Sequence, residues 1–395
     1  MFIEIKGTGF ANKGAELMLH SILQKTKEAI ADASFVMTPS TNDDYVERAR
    51  LGIFQKLWYQ RYSIQLMWFG QFIPRPLRRR YGLILDKELD VVLDATGFGY
   101  SDQHGPSGSR NTATMASLVK KWKKHNVKVF LLPQAMGPFT SPKTRKAITY
   151  IVENADLVFL RDDISYKHVT DLVGNQGHIR RAPDYTSLVA GVLPKEPQRF
   201  IGRYCLVPNH RMIKNTSRRE NSEHVELFAM CIKAFVKLGQ QPFILIHEIG
   251  KDTQLANEIV EHAGMDIEIV MEPDALRIKG ILGLCAGVIG SRYHALVSAL
   301  NQGVPILATS WSHKYEMLLG DYGLTDDCLL TSISAAQVNK RIEQLIAPDY
   351  RHGMADKLRE VNKRRIQQTE DMWQAIFSVI RAKTAMGLAN PLQSG

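Results

Sequence analysis

Short apolar runs alternate with longer amphipathic patterns along most of the chain. The runs that predict buried strands lie at residues 2–6, 35–38, 90–95, 127–132, 157–160 and 179–182, and again at 204–208, 242–246, 267–270, 287–289 and 304–308. Helical patterns at 14–31, 112–124, 142–154, 222–237, 251–263 and 274–284 lie between them. Because strands that alternate with helices pair in parallel through right-handed crossovers, the pattern predicts an α/β fold. We expect two Rossmann-like domains with parallel sheets and a ligand cleft between them.

A proline-bearing stretch at residues 193–200 separates the two series of strands and predicts a linker. The predicted domains are therefore 1–192 and 201–346. A long basic helix at 350–386 follows, with an apolar stripe that we expect to pack back on the first domain. The stripe consists of Trp373, Ile376, Phe377 and Ile380.

The stretch 290–314 places charged and titratable residues at the ends of two predicted strands. Apolar residues recur at i, i+3, i+4 and i+7 from Leu296, which predicts a helix whose buried face excludes His294. Arg292 and His294 flank the start of this helix, where unpaired backbone N–H groups favour anions. Because loops at the carboxyl ends of neighbouring parallel strands face one crevice, we expect Arg292, His294 and Lys314 to converge on an anion. The alternative is that each is an ordinary solvated side chain.

Other polar residues near the ends of predicted strands are candidates for substrate binding. They are Asn12, Glu16, Asp102, Gln134, His247, Glu248 and Ser291. Arg161 directly follows an apolar run, which places it in the crevice, although it can instead pair with Asp162 or Asp163. Glu16 also suits a first-turn acid that complements the helix dipole. The glycine turn before it does not fit the dinucleotide-binding pattern, because Asn12 stands where the third glycine belongs.

The amino-acid composition limits which classes of function fit this chain. Hydrophobic residues make up 45% and charged residues 23% of the chain, as in soluble globular proteins. The sequence lacks an apolar run of roughly 18 residues and the features of a signal peptide, so we expect a cytoplasmic protein. The four cysteines are widely spaced without a C-x-x-C pair, which argues against a metal site and favours packing roles. Lysine and arginine exceed aspartate and glutamate by 50 − 40 = 10, which favours an anionic partner, but no nucleic-acid-binding motif accompanies this charge.

Residues 51–85 combine basic and aromatic side chains and contain no acidic residue. The basic residues are Lys56, Arg61, Arg75, Arg78, Arg79 and Arg80, and they stand among Phe54, Trp58, Tyr59, Tyr62, Trp68, Phe69 and Phe72. Such a segment suits the anionic inner face of a membrane or the lining of an acceptor groove. The alternative is a helical insertion packed on the first domain.

Several motifs resemble those of the polysaccharide pyruvyl transferase family. They are GTGFANKGAELML, DATGFGYSDQ, LLPQAMGPF, LRDDISY, APDYT, GSRYHA and GVPILATSWSHK, in matching order over roughly residues 1–320. The resemblance implies a GT-B-like fold with the acceptor on the amino-terminal domain and phosphoenolpyruvate on the carboxyl-terminal domain. It also implies that the enolpyruvyl carbon of phosphoenolpyruvate moves onto a sugar as a cyclic ketal, without a further cofactor. The matching functional residues are Arg161, Arg292, His294 and Lys314.

The implied chemistry suits these residue types. Arg161, Arg292 and Lys314 would hold the carboxylate and phosphate of the donor, and His294 would move a proton. The family's N-x-G-D motif is altered here, since Ala15 precedes Glu16. The acceptor sugar stays unspecified: it can belong to a lipid-linked oligosaccharide, a polymer or a nucleotide sugar.

Two other functions fit the same architecture, because a fold does not determine a function. One is a glycosyltransferase that uses a nucleotide sugar. The absence of a D-x-D motif from the sequence argues against it. The other is a non-catalytic sugar-binding component of polysaccharide assembly, which would tolerate loss of the cationic residues.

Overall fold

A computed structural model describes residues 1–39, 45–57, 60–61, 64–65, 68–102, 105–210, 212, 218–309, 313–324, 328, 330 and 334–388. Only the backbone is described at 60–61, 64–65, 68, 105–107, 218–221, 313–314 and 383–388. The chain forms two compact units. The first comprises Met1–Phe10, Met18–Tyr185 and the chain from Gln367, and the second comprises Ala11–Leu17 and Thr186–Ile366.

The first unit is built on a parallel sheet. Its strands are β1 (Phe2–Lys6), β2 (Ser34–Met37), β3 (Phe54–Lys56), β4 (Gln60–Arg61), β5 (Ile64–Gln65), β6 (Leu83–Ile84), β7 (Val91–Asp94), β8 (Lys128–Gln134), β9 (Leu157–Leu160) and β10 (Ile179–Arg181). Eight of them form one sheet in the order β10-β9-β8-β7-β1-β2-β3-β6, and β4 and β5 form a separate antiparallel pair. The helices are α1 (Lys13–Ala29), whose first turn belongs to the second unit, α2 (Tyr45–Arg50), α3 (Arg75–Arg80), α4 (Gly105–Lys124), α5 (Pro142–Asn154) and α6 (Asp163–Val173).

The second unit repeats the plan with a smaller sheet. Its strands are β11 (Tyr204–Val207), β12 (Phe243–Ile246), β13 (Ile269–Met271), β14 (Gly287–Gly290) and β15 (Ile306–Ala308), all parallel in the order β13-β12-β11-β14-β15. The helices are α7 (Arg218–Lys237), α8 (Lys251–Ala263), α9 (Ala275–Leu284), α10 (Tyr293–Leu300), α11 (His313–Asp321), α12 (Ala335–Ile346) and α13 (Pro348–Leu388). Helix α13 passes from the second unit into the first at Gln367.

The central strands explain why this sequence forms parallel sheets. Every residue of β7, β9, β11, β12 and β14 is buried. Such continuous apolar runs suit strands that are covered by helices on both faces. All four cysteines are buried and free, which agrees with the predicted packing role. The predicted α/β fold with two parallel sheets is confirmed.

The predicted domain boundaries stay predictions, and the units differ from them at two helices. The first turn of α1 groups with the second unit, and α13 begins there before it enters the first. Within the first unit, Trp373 of the predicted apolar stripe lies edge-on to Tyr185, with ring centroids 5.9 Å apart. No helix in the described ranges is both long and apolar enough to cross a bilayer.

The interpretation of residues 51–85 as a helical insertion is wrong. Strands β3 and β6 extend the parallel sheet beyond β2, and the described helices of the segment are α3 and a 3-10 helix at Trp68–Phe72. Phe54 packs edge-on to Phe2 of β1, and Ile84 is fully buried, so these side chains extend the core of the sheet. Residues 58–59, 62–63 and 66–67 lie outside the described part of the chain.

Helices α4 and α6 show where local signals were misread. Helix α4 begins at Gly105, before the predicted start at residue 112, and Pro106 suits its first turn because a proline there needs no backbone N–H. Helix α6 was not predicted, although Asp162 caps it by accepting the backbone N–H of Ser165 at 2.7 Å.

Candidate functional site

Four strands of the second unit end in polar residues at one edge of the sheet. Its strand order places β11–β13 on one side and β14 and β15 on the other, so the direction of strand addition switches between β11 and β14. Open α/β sheets bind ligands at the carboxyl ends of the strands beside such a switch point. The residues at this edge are Asn209 and His210 after β11, His247 and Glu248 after β12, Ser291 and Arg292 after β14, and Thr309 after β15.

Asp252 is the centre of this edge. It lies in the first turn of α8, is fully buried, and accepts Arg292 Nη2 on its two oxygens at 2.5 and 2.6 Å. The same carboxylate accepts the backbone N–H of Glu248 at 3.0 Å and that of His210 at 3.1 Å. His210 Nδ1 lies 2.8 Å from Asp252 Oδ1. Asp252 therefore connects the loops that follow β11, β12 and β14.

Arg292 is held between two carboxylates. Its Nη1 donates to Glu248 Oε2 at 2.9 Å, and the side chain is 6% exposed. Burial alone would raise the pKa of Asp252, but the positive charge of Arg292 outweighs it and lowers that pKa. We call Arg292, Asp252, Glu248 and His210 the Arg292 network. The charge of Arg292 is thus compensated within the protein, and its binding of a substrate anion stays a prediction.

His294 lies off the buried face of its helix, as predicted. It sits in the first turn of α10 and is partly exposed, whereas Leu296 is fully buried. Its ring packs against Gly14 in the first turn of α1, where a Cβ would collide with the imidazole. Beside it, the backbone N–H of Lys13 donates to the carbonyl oxygen of His247 at 3.4 Å. The start of α1 therefore forms one wall of the site within the second unit.

The predicted ligands Asn12 and Glu16 lie on this wall. Asn12 Oδ1 accepts the backbone N–H of Gly14 at 2.9 Å, so it caps α1. Glu16 is buried and accepts Lys13 Nζ at 2.5 Å. Both side chains have these local partners, and substrate binding by them stays a prediction.

His247 is a neutral histidine in the middle of the site. Burial lowers the pKa of His247 to about 3, and the nearby charges of Arg292 and His294 act in the same direction. Arg292 and His294 are thus both close enough to His247 to influence its charge, and their joint binding of an anion stays a prediction. His247 Nδ1 is buried and makes no hydrogen bond with the described residues.

Further polar atoms at this edge are buried without a hydrogen bond inside the described part of the chain. They are Ser291 Oγ, Arg292 Nε and Thr309 Oγ1. The backbone beside them is well held, since the carbonyl oxygen of Ser291 accepts Asn209 Nδ2 at 2.9 Å and the Tyr315 hydroxyl at 2.6 Å. Because buried polar groups are almost always paired, several unpaired ones at a switch point indicate a place where a polar ligand binds.

Lys314 lies partly outside what the structure describes. Its backbone belongs to α11, whereas its side chain and residues 310–312 are outside the described part. Its convergence with Arg292 and His294 stays a prediction.

The remaining predicted residues belong to the first unit. Gln134 ends β8, donates to the carbonyl oxygen of Asp94 at 3.0 Å, and keeps a buried Oε1 that makes no hydrogen bond with the described residues. Arg161 follows β9 and is buried. Next to it Asp162 caps α6 and Asp163 pairs with Arg181.

Asp102 serves as a local hydrogen-bond acceptor. It accepts the backbone N–H groups of Thr140 and Ser141 at 2.5 and 2.9 Å and the Thr144 hydroxyl at 2.6 Å. Burial would raise the pKa of Asp102, but these hydrogen bonds outweigh it and lower the pKa to about 2. Its carboxylate therefore holds the loop before α5, and contact with substrate stays a prediction.

Sequence reasoning missed Asn209, His210 and Asp252. Asn209 and His210 follow a predicted strand, so their position alone could have suggested them. Asp252 carries no such signal, because an acid in the first turn of a helix usually serves the helix dipole.

Comparisons with known proteins identify the family and the fold. A family model described as polysaccharide pyruvyl transferase matches residues 12–313. Among solved structures, the UDP-GlcNAc 2-epimerase of Neisseria meningitidis bound to UDP-GlcNAc has a TM-score of 0.61 at 10% identity, covering 96% of this chain and 100% of that one. A glycosyltransferase from Rickettsia africae has a TM-score of 0.58 at 13% identity, covering 96% and 98%.

A third structure, Anabaena HepE in complex with UDP and glucose, has a TM-score of 0.53 at 12% identity and covers 98% of this chain and 99% of that one. At such low identities the structures show the fold alone, which is the GT-B arrangement of two parallel α/β sheets.

Proposed function

Because the chain belongs to the polysaccharide pyruvyl transferase family, we propose that it transfers the enolpyruvyl group of phosphoenolpyruvate onto a sugar as a cyclic ketal. The observation that carries this proposal is a set of buried polar atoms at the switch point of the second sheet that make no hydrogen bond within the described part of the chain. They are His247 Nδ1, Ser291 Oγ, Arg292 Nε and Thr309 Oγ1.

These groups suit a small donor substrate with two anionic groups. Phosphoenolpyruvate carries a carboxylate and a phosphate, which accept hydrogen bonds from hydroxyl, guanidinium and backbone N–H groups. The first turn of α10 supplies backbone N–H groups next to Ser291 and Arg292. In this proposal, binding of phosphoenolpyruvate is the reason why these polar groups lie together in a buried place.

Arg292 would reach the donor by exchanging one of its partners. Glu248 is 17% exposed, whereas Asp252 is fully buried and also holds two backbone N–H groups. An incoming carboxylate or phosphate would therefore replace Glu248 and leave Asp252 in position. In this proposal Glu248 compensates the charge of the empty site, and Asp252 orients the guanidinium.

His294 is the proposed proton carrier. Protonation of the methylene carbon of phosphoenolpyruvate makes C2 electrophilic, and an acceptor hydroxyl forms a C–O bond there as its proton leaves. The C2–O bond to phosphate then breaks, and a second hydroxyl of the same sugar attacks C2. The two hydroxyls release two protons: one replaces the proton given to the methylene carbon, and the other is taken up by the departing phosphate, so the products are the ketal and inorganic phosphate.

Two measurements test this function. Phosphoenolpyruvate should raise the melting temperature by binding the folded state, and phosphate should be released only when a suitable sugar acceptor is present. His294→Gln should bind phosphoenolpyruvate within a few-fold of the parent but lose ~10²–10⁴ in turnover.

Other results would lead to other conclusions. Release of nucleotide from a nucleotide sugar, without phosphate release from phosphoenolpyruvate, would show a glycosyltransferase. Near-parental turnover of His294→Gln at saturating donor would show that His294 is a ligand rather than the proton carrier.

A further inference from the structure

Within the described part of the chain, the exposed aromatic side chains are concentrated in one stretch. The described residues include four exposed aromatic side chains, and all of them lie between positions 45 and 81. They are Tyr45 at 69%, Phe69 at 48%, Phe72 at 70% and Tyr81 at 73% exposure. Scattered surface aromatics need no explanation, but several exposed rings within one stretch of chain point to an interaction surface.

Arginines accompany these rings. Arg75 is 71% exposed, Arg80 is exposed, and Leu77 between them is 44% exposed. We call Phe69, Phe72, Arg75, Leu77, Arg80 and Tyr81 the arginine–aromatic surface. No acidic residue occurs from 51 to 85, so this surface has positive charge within a chain that is itself positive by 10.

The surface is held by two neighbouring arginines that face inward. Arg78 is buried, donates to the carbonyl oxygen of Ile73 at 3.0 Å and pairs with Glu88. Arg79 lies over the ring of Phe2, 3.9 Å from its centroid. These contacts fix α3 to the first unit and leave Leu77 and Arg80 exposed. Arg75 is 71% exposed and lies 3.5 Å from Glu88, the carboxylate that also pairs with Arg78.

We propose that the arginine–aromatic surface binds the surface of an anionic lipid membrane. Aromatic rings are favoured at the level of lipid headgroups, and each arginine beside them gains from the negative surface potential. A protein partner would also favour aromatic and arginine residues, but a surface without acidic residues suits a partner of uniform negative charge. An acceptor carried on a lipid would then be presented at the same membrane, a consequence that rests on the proposed function.

Vesicle co-sedimentation of the full chain tests this proposal without substrate. The parent should bind vesicles of phosphatidylglycerol and phosphatidylcholine, bind phosphatidylcholine alone weakly, and lose binding as salt is raised. Arg75→Glu with Arg80→Glu should weaken binding by more than about 25-fold, since each arginine near an anionic surface contributes roughly five-fold. Phe72→Ser with Tyr81→Ser should weaken it by about ten-fold or more at low salt.

Matched controls change exposed residues elsewhere in the protein. Ile201→Ser with Met271→Ser removes apolar side chains that are 61% and 59% exposed, and Lys120→Glu with Lys124→Glu reverses two exposed charges on α4. Both control pairs should bind vesicles within about two-fold of the parent, because residues outside the contact contribute little to binding. A parent that stays in the supernatant, or surface variants that bind like the controls, would overturn the proposal.

Self-association provides a further check. If the parent dimerises in sedimentation experiments and Phe72→Ser with Tyr81→Ser makes it monomeric, the surface is an interface between copies and the membrane proposal is wrong. Phosphoenolpyruvate binding is measured in a separate experiment. If the protein does not bind vesicles, the proposed transfer reaction is unaffected, and if it does not transfer the enolpyruvyl group, the result of vesicle binding is unaffected.

Discussion

Two buried ion networks, one in each unit, use the same chemistry in different ways. In the first unit, Lys56 is 1% exposed and pairs with Glu4 at 2.8 Å and Asp86 at 2.6 Å. Further donors surround these carboxylates: the Thr38 hydroxyl on Glu4, and Trp122 Nε1 and Lys121 Nζ on Asp86. We call Lys56, Glu4 and Asp86 the Lys56 network. In the second unit, the Arg292 network has equally short pairs, but buried polar atoms beside it lack hydrogen bonds to the described residues.

The difference separates a structural network from a binding site. A buried charge is tolerated when its partners satisfy it, and the Lys56 network meets this condition with its own residues. The Arg292 network balances its charge, yet one buried polar atom in each of His247, Ser291 and Thr309 makes no hydrogen bond to any residue that the structure describes. Buried polar atoms without hydrogen bonds, next to an ion pair, therefore indicate a ligand site better than a buried charge does.

The largest effect is expected from breaking the Lys56 network. Lys56→Ala leaves Glu4 and Asp86 buried without their shared cation, which should lower the free energy of unfolding by about 3–5 kcal/mol. Urea denaturation measures this loss. Lys121→Ala is the matched control, because Lys121 pairs with the same Asp86 but is 45% exposed, so its loss should stay below about 1 kcal/mol. Equal losses in the two variants would show that the Lys56 network is no more important than a surface pair.

The next effect concerns Asp252 in the Arg292 network. Asp252→Asn keeps the size of the side chain but removes the charge that orients Arg292, so turnover should fall by about 10²-fold. Asp156→Asn is the control: Asp156 accepts Lys123 at 3.0 Å, Lys128 at 2.9 Å and a backbone N–H, but lies in the first unit. Asp156→Asn should lower the free energy of unfolding and leave turnover unchanged. Parental turnover of Asp252→Asn at saturating donor would show that Asp252 supports only the fold.

The smallest effect is a pH dependence of the free energy of unfolding, to which two buried histidines contribute. Burial lowers the pKa of His247 to about 3 and that of His224 to about 4, both below the ordinary value near 6.5. The unfolded chain therefore binds more protons than the folded one below about pH 6.5, and stability falls as the pH drops towards 4. Near pH 5 each histidine should cost about 2 kcal/mol relative to neutral pH.

Urea denaturation at neutral pH and near pH 5 measures this dependence. His247→Gln and His224→Gln should each remove about half of the acid-induced loss that these two histidines cause. Only the loss at His247 should become smaller when phosphoenolpyruvate is bound, since an anion beside His247 favours its protonated form. An equal response of His224, which packs against Phe228 in α7, would contradict the placement of the donor.

Elements with strong local signals were predicted to the residue. Helices α5 and α8 and strand β9 have the predicted bounds, because Pro142 suits a first turn and an apolar run ends at Leu160. Strands β3 and β6 were missed because basic and aromatic residues hide their short apolar runs. In the site, position after a strand identified His247, Ser291 and Arg292. The partner that orients Arg292 could not be predicted, because Asp252 reaches it from a different segment of the chain.

The contact between Gly14 and His294 has a consequence for biosynthesis. The two residues are 294 − 14 = 280 positions apart, and the first turn of α1 packs with the second unit. At roughly 5–20 residues per second, a ribosome needs about 14 to 56 s to pass from one to the other. During that interval the amino-terminal loop has left the ribosome but its packing partner does not yet exist. The first turn of α1 is thus synthesised long before its native surroundings exist, and a nascent chain acquires this site only after His294 has been made.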